Sequence, residues 1–112
     1  MRPAEELLTL PVKVNGIELG RTVDLILDGS ASRAVGLDVR CGDGAHRFVP
    51  FAVANVGEDA IEIDSPLVLL DFEQVAFYRE QGTTLRALDG QELLIGPDGH
   101  LDKGTLTSGP RW

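Results

Sequence analysis

The stretch VKVNGIELGRTVDLILD, residues 12–28, decides the fold. Asn15-Gly16 lies between two apolar segments, and Asn-Gly is the strongest short hairpin signal because both residues accept positive φ. Residues 10–14 therefore read as one strand and residues 17–27 as the next, with a bend expected at Gly20. Beyond the bend, Val23, Leu25 and Leu27 share one face by the period of two, and Thr22, Asp24, Ile26 and Asp28 share the other. The expected core contains Val23, Leu25 and Leu27, joined by Leu37 and Val39 of the following strand. Asp28-Gly29-Ser30-Ala31-Ser32 ends the stretch as a turn, since Asp, Gly and Ser each favour one for a local reason of their own.

Working outward, residues 34–41 form a third strand with Val35, Leu37, Val39 and Cys41 on one face, and Gly42-Asp43-Gly44 turns the chain. Residues 46–51 form a fourth, in which Pro50 cannot donate to a ladder and must sit at an edge or end the strand. Gly57-Glu58-Asp59 turns again before residues 60–64, which alternate cleanly. Short strands spaced near ten residues predict an all-β fold, a small barrel or sandwich. The pattern then changes. Ser65-Pro66 suits an N-cap and first helical residue, Asp71 with Gln74 resembles a capping box, and Gly82 can end a helix. One or two short helical segments are expected between Ser65 and Gln81. Residues 84–95 are expected to hold a hairpin around Asp89-Gly90, and the Gly-, Asp-, Ser- and Pro-rich residues 96–112 to be loose, at least at their end. The organisation read from this is a β-barrel over residues 1–70, a helical segment over 71–82, and a C-terminal extension over 83–112.

A chain of 112 residues is enough for one domain and buries roughly two thirds of its unfolded surface. Cys41 is its single cysteine, so no internal disulfide forms, and one thiol with His46 and His100 does not make a zinc site. A reducing, cytoplasmic setting fits this cysteine usage and the lack of a basic, apolar leader. Apolar runs such as residues 66–70 are far short of the roughly 18 residues that span a bilayer. Eighteen acidic residues against ten basic ones give a net charge of −8, and the two lysines, Lys13 and Lys103, form no basic cluster. Affinity for nucleic acid or an anionic membrane surface comes from Lys and Arg, so neither is an expected partner.

Asp24 and Asp28 invite an acid–base reading. On a strand, residues four apart are about 13 Å apart, too far to share a proton or to work as a glycosidase pair. The Asp28-Gly29-Ser30 order also swaps the Thr/Ser and Gly of an aspartic-protease loop, which removes the hydroxyl beside the carboxylate; a retropepsin-like protease is the remote alternative. Cys41, near Arg40 and His46, reads either as a thiol of lowered pKa or as a small apolar core residue, the second being preferred. Asp98 to Asp102 has spaced carboxylates but lacks the other ligands of a calcium loop. No catalytic residue, cofactor or metal is expected. The suggestive surface feature is aromatic: Phe72, Phe77 and Tyr78 lie on the predicted helical stretch, after Leu67, Val68 and Leu70. Trp112 could dock on the body or serve as an anchor.

Four elements in order resemble the PRC-barrel domain, the small barrel named after the photosynthetic reaction-centre H subunit. They are Gly16-Ile17-Glu18-Leu19-Gly20-Arg21-Thr22-Val23-Asp24, then Ala34-Val35-Gly36-Leu37-Asp38-Val39, then Arg47-Phe48-Val49-Pro50-Phe51, then Gly57-Glu58-Asp59-Ala60-Ile61. The likeness covers roughly residues 8–70. It implies a PRC-type β-barrel of the kind found in stand-alone bacterial and archaeal proteins, and an assembly or docking role without catalysis. The expected function is thus a non-catalytic module acting through protein–protein contacts at Phe72, Phe77 and Tyr78, with a homodimer among the forms such a contact takes. The alternative, by analogy with the RimM branch of the family, is a ribosome- or RNA-processing accessory factor.

Overall fold

Asn15 and Gly16 both adopt positive φ, 51° and 81°, as a two-residue hairpin turn with the strand-matching twist requires. They join β2 (Pro11–Val14; β1 is the short strand Arg2–Pro3) to β3 (Ile17–Leu27) in the computed structural model, which describes residues 2–88, 93–96 and 98–103. The register steps from Val12 opposite Gly20 to Lys13 opposite Glu18, leaving Leu19 as an extra residue, so the expected bend is a bulge beside Gly20. There is no room for a side chain at Gly20: a Cβ would lie 2.5 Å from the Arg40 carbonyl oxygen and 2.9 Å from the Cys41 Cα.

Antiparallel β4 (Ala34–Cys41) pairs along the other edge of β3, and β5 (His46–Pro50) pairs with β4. β5 is the terminal strand of the hydrogen-bonded order, which accommodates Pro50 at its last position. β6 (Asn55–Val56) and β7 (Ile61–Glu62) flank the Gly57 turn, and β7 then runs parallel to β2 with Val12 opposite Ile61. β8 (Thr83–Thr84) uses the length of β3 that β2 leaves free, pairing with Ile26 and Leu27. The pairing path runs β5-β4-β3-β2-β7-β6, and among the described residues no ladder joins its two ends. The fold is all-β, completed by packing rather than by a closed ring of hydrogen bonds.

A second sheet, in the order β1-β9-β10, is made with β9 (Leu93–Ile95) and β10 (Leu101–Lys103). Both sheets contribute to one apolar cluster. Leu25, Leu27, Leu37, Val39 and Ile61 come from the larger sheet, and Leu93, Ile95 and Leu101 from the smaller. Ala4 and Leu7, on a 3₁₀ turn after β1, are fully buried in the same cluster.

Three expectations need correction. Val23 is not core: a second bulge between Thr22 and Asp24 shifts the alternation, so Thr22 is fully buried while Val23 is half-buried. Thr84 and Leu93–Ile95 do not pair with each other; they join β3 and β1–β10 respectively, and Asp89-Gly90 lies outside the described residues. Residues 98–103 are not loose, since the β9–β10 hairpin buries Leu101, with Gly99 at φ 89° in its turn. Trp112 lies outside the described residues.

Candidate interaction surface

The face of β3 opposite the main cluster is covered too. Ile26 and Phe48 are buried there, against half-buried Val35, Leu70 and Tyr78. Gly36 makes this packing possible: a Cβ on it would run into the Phe48 ring. Helix α1 (Phe72–Gln81) packs over the same face. Tyr78 stacks on Phe48, ring centroids 4.8 Å apart and planes 13° apart. Phe77 meets Tyr78 edge-on at 5.1 Å and 87°, a favoured aromatic geometry.

Both ends of α1 are fixed. Asp71 stands at the N-cap, but its side chain makes no cap hydrogen bond; it accepts from the Arg47 guanidinium at 3.3 Å. Asp71's half of the expected capping box is thus replaced by an ion pair to β5, and the Gln74 side chain lies outside the described part. At the other end the Gly82 amide donates to the Tyr78 carbonyl at 3.0 Å. Gly82 lies so close to the Leu27 carbonyl that a Cβ there would collide with it. Ser65 does cap, accepting from the Leu67 amide at 3.1 Å at the head of the 3₁₀ turn Pro66–Val68.

Of the three expected surface residues, Tyr78 is a packing residue and Phe77 faces solvent at 53 % exposure. Neighbours on a helix point about 100° apart, so one ring can dock while the next stays out. Phe72 opens α1, and the position of its side chain lies outside the described part. Leu67, read in the sequence as apolar material just before the aromatics, is 87 % exposed on the preceding 3₁₀ turn; Ile17 and Val53, which that reading passed over, are exposed as well.

The polar candidates have structural work. Asp28 organises the β3–β4 turn: its carboxylate accepts from the Ser32 amide at 2.8 Å, the Arg33 amide at 3.3 Å and the hydroxyls of Ser32 and Ser30. Partial burial pushes its pKa up, but these hydrogen bonds together outweigh that and hold it below the ordinary 3.8. Ala31 occupies the left-handed region at φ 57° within this turn. Asp24 accepts from the Leu25 amide at 2.9 Å and the Arg86 amide at 3.1 Å, which ties the segment after α1 to β3. Asp98 accepts from the His100 amide at 3.0 Å, and that bond holds its carboxyl below the usual range as it shapes the β9–β10 turn.

His46 does not serve Cys41; its Nδ1 is 2.8 Å from a carboxylate oxygen of buried Asp38. The Cys41 thiol is pushed up from 9.0, first by burial and then by Asp43, against a smaller opposite pull from Arg47. It is half-buried and held as the thiol at neutral pH, not activated as a thiolate. Among the described residues no three His, Cys, Asp or Glu side chains gather as metal ligands, and no helix is long and apolar enough to cross a membrane.

A feature the sequence reading passed over is a cavity of about 450 Å³ where β3 bulges away from β2 and meets the end of β4, with Arg21, Arg40 and Arg86 in its lining. Strand register brings Arg21 and Arg40 together, and hydrogen bonds to Val23 and Asp24 of β3 bring in Arg86.

No curated protein matches the chain. The model of the PRC-barrel domain matches residues 5–70, more than half of the sequence and the part that contains the β2–β3 hairpin, the β4–β5 pair and the parallel β7. Fold and match agree, and the chain belongs to the PRC-barrel family.

Proposed function

We propose that this protein is a non-catalytic docking module that works through protein–protein contacts at the α1 face, with Phe77 at the centre of the contact. Residues 1–70 act as the barrel that carries the site, residues 71–82 as the presenting arm, and residues 83–112 as the C-terminal extension. The observation that supports this most is the posture of Phe77. It is 53 % exposed, yet held by Tyr78, which is stacked on Phe48 of the sheet. An aromatic side chain already ordered before contact loses little entropy when a partner covers it, and aromatic anchors of this type carry a large share of interface energy. Leu67 adds a second exposed apolar side chain beside β5. The side chains that could have served chemistry support the same reading, because Asp24, Asp28 and His46 are engaged in holding turns and strands.

The test compares wild type with Phe77→Glu in two measurements, affinity capture with mass-spectrometric identification and solution mass by light scattering. A protein partner lost with Phe77→Glu, or an oligomer converted to monomer by it, supports the module. Identical captured proteins and identical mass for both, with the variant folded, overturn it. Recovery of ribosomal proteins by both would favour the accessory-factor alternative.

A further inference from the structure

Arg21 and Arg40 are register partners on β3 and β4, so two guanidinium-bearing side chains stand directly opposite each other on one face. Like charges in that position destabilise a sheet. The other like-charged pair in the same ladder, Asp24 opposite Asp38, is relieved by neighbours: Asp24 accepts from two amides, and Asp38 is paired with His46. The arginine pair is relieved on one side alone. Glu18 accepts from Arg21 Nε at 3.2 Å, and the Thr9 carbonyl accepts from Arg21 at 3.1 Å. Arg40 is exposed and has no hydrogen-bond or ion-pair partner among the described residues.

Arg86 brings a third guanidinium to the same cavity. Its Nε donates to the Val23 carbonyl, the carbonyl of the bulge residue, which fixes the fork while leaving its terminal nitrogens uncommitted among the described residues. Three guanidinium groups thus meet one carboxylate in a chain whose net charge is −8. Asp24 and Asp43 are charged neighbours, but both accept from backbone amides and neither forms an ion pair with these arginines among the described residues. Thr22, also in the lining, is fully buried, and its hydroxyl has no hydrogen-bond partner among the described residues. Leu19, Val23 and Cys41 supply apolar wall.

We propose that this cavity is a binding site for a small phosphate monoester with an apolar body. Guanidinium forks match phosphate oxygens in bidentate fashion, and a dianion answers two uncompensated arginines where a carboxylate would answer one. The volume, about 450 Å³, is within the range of small-ligand pockets, which pair apolar walls with a few placed polar groups. Binding replaces a repulsive cross-strand pair with a bridged one and so couples occupancy to the β3–β4 ladder. This site is independent of the Phe77 surface.

Phenyl phosphate is the probe, titrated into the full chain and followed by amide shifts at Gly20 and Gly42, with inorganic phosphate, benzoate and phenol at matched ionic strength. Expected are saturable shifts with phenyl phosphate at up to about 10 mM and a rise in melting temperature. Arg40→Gln, which breaks no contact, should weaken binding by about tenfold, the worth of one charged hydrogen-bonding group; Phe77→Glu should leave it unchanged. Without ligand at low salt, Arg40→Gln should melt higher than wild type, because the opposed charges are gone. Unsaturable shifts, or equal binding by Arg40→Gln, overturn the site. An equal response to inorganic phosphate or to benzoate overturns the ester class.

Discussion

The two faces of β3 are both buried, by different means. Leu25 and Leu27 on the inner face join a cluster fed from β2, β4, β5, β7, β9, β10 and the first 3₁₀ turn. Ile26 on the outer face depends on Phe48, Val35, Leu70 and one helix, docked through Tyr78. The inner face draws on residues from Ala4 to Leu101, so no one neighbour decides it. Among the described residues the outer face rests on a stacked pair, an ion pair at one end of α1 and a close approach of Gly82 to β3 at the other. A surface built that way can be altered without unfolding the barrel.

The comparison breaks first at the inner face if it is wrong. Leu25→Ala should cost about 3 kcal/mol of unfolding free energy, as for other fully buried leucines, measured by urea titration; a loss below about 0.5 kcal/mol would mean that the inner cluster is not the core. Gly20→Val should cost a comparable amount, because the groups a side chain would meet are backbone atoms of β4 that cannot rotate away. On the outer face, Tyr78→Ala should cost about 1–2 kcal/mol and raise hydrogen exchange along α1 while β3 and β4 amides stay protected. Equal loss of protection on both faces would show that they fold as one unit. The smallest effect belongs to Phe77→Glu, within about 0.5 kcal/mol of wild type because the ring is half in solvent.

Asp28 gives the comparison a pH axis. Its carboxyl is held below the ordinary 3.8 in the folded state, so its contribution is fully present above that value and is lost as the pH falls through the lower folded-state pKa. The Asp28→Asn variant should therefore show a flatter loss of stability in acid than wild type below about pH 4. Identical acid limbs would mean that the turn does not depend on the charged carboxylate.

Much of the larger sheet was legible because its signals are local. Asn15-Gly16, the Gly57 turn and Pro50 each act within a few residues, and each stands where the sequence puts it. Val23 was misread because a bulge inserts a residue and changes which side chains point inward beyond it. The burial of Ile26 was readable in principle, since three successive aliphatics, Leu25-Ile26-Leu27, mark a strand covered on both sides. The parallel pairing of β7 with β2 and the β1-β9-β10 sheet depend on partners far along the chain, with no local trace. On the surface, the cap and stop signals at Asp71 and Gly82 placed Phe77 and Tyr78 on a helix but not which of them docks; Tyr78 docks on Phe48, for which the missing side chain of Gly36 makes room. The meeting of Arg21 with Arg40 needed the register itself.

The pairing of β1 with β9 has a consequence in time. Arg2 and Pro3 lie opposite Ile95 and Leu94, so a segment made early waits for one made much later before it can be sheltered. The β2–β3–β4–β5 meander needs short loop closures and forms quickly, whereas pairings of such wide sequence separation form late. On the ribosome the family-matched part is therefore expected to take shape with Ala4 and Leu7 still uncovered. A nascent chain in that condition offers the apolar side chains of Ala4 and Leu7 to chaperones, and the arrival of β9 and β10 is the event that withdraws them.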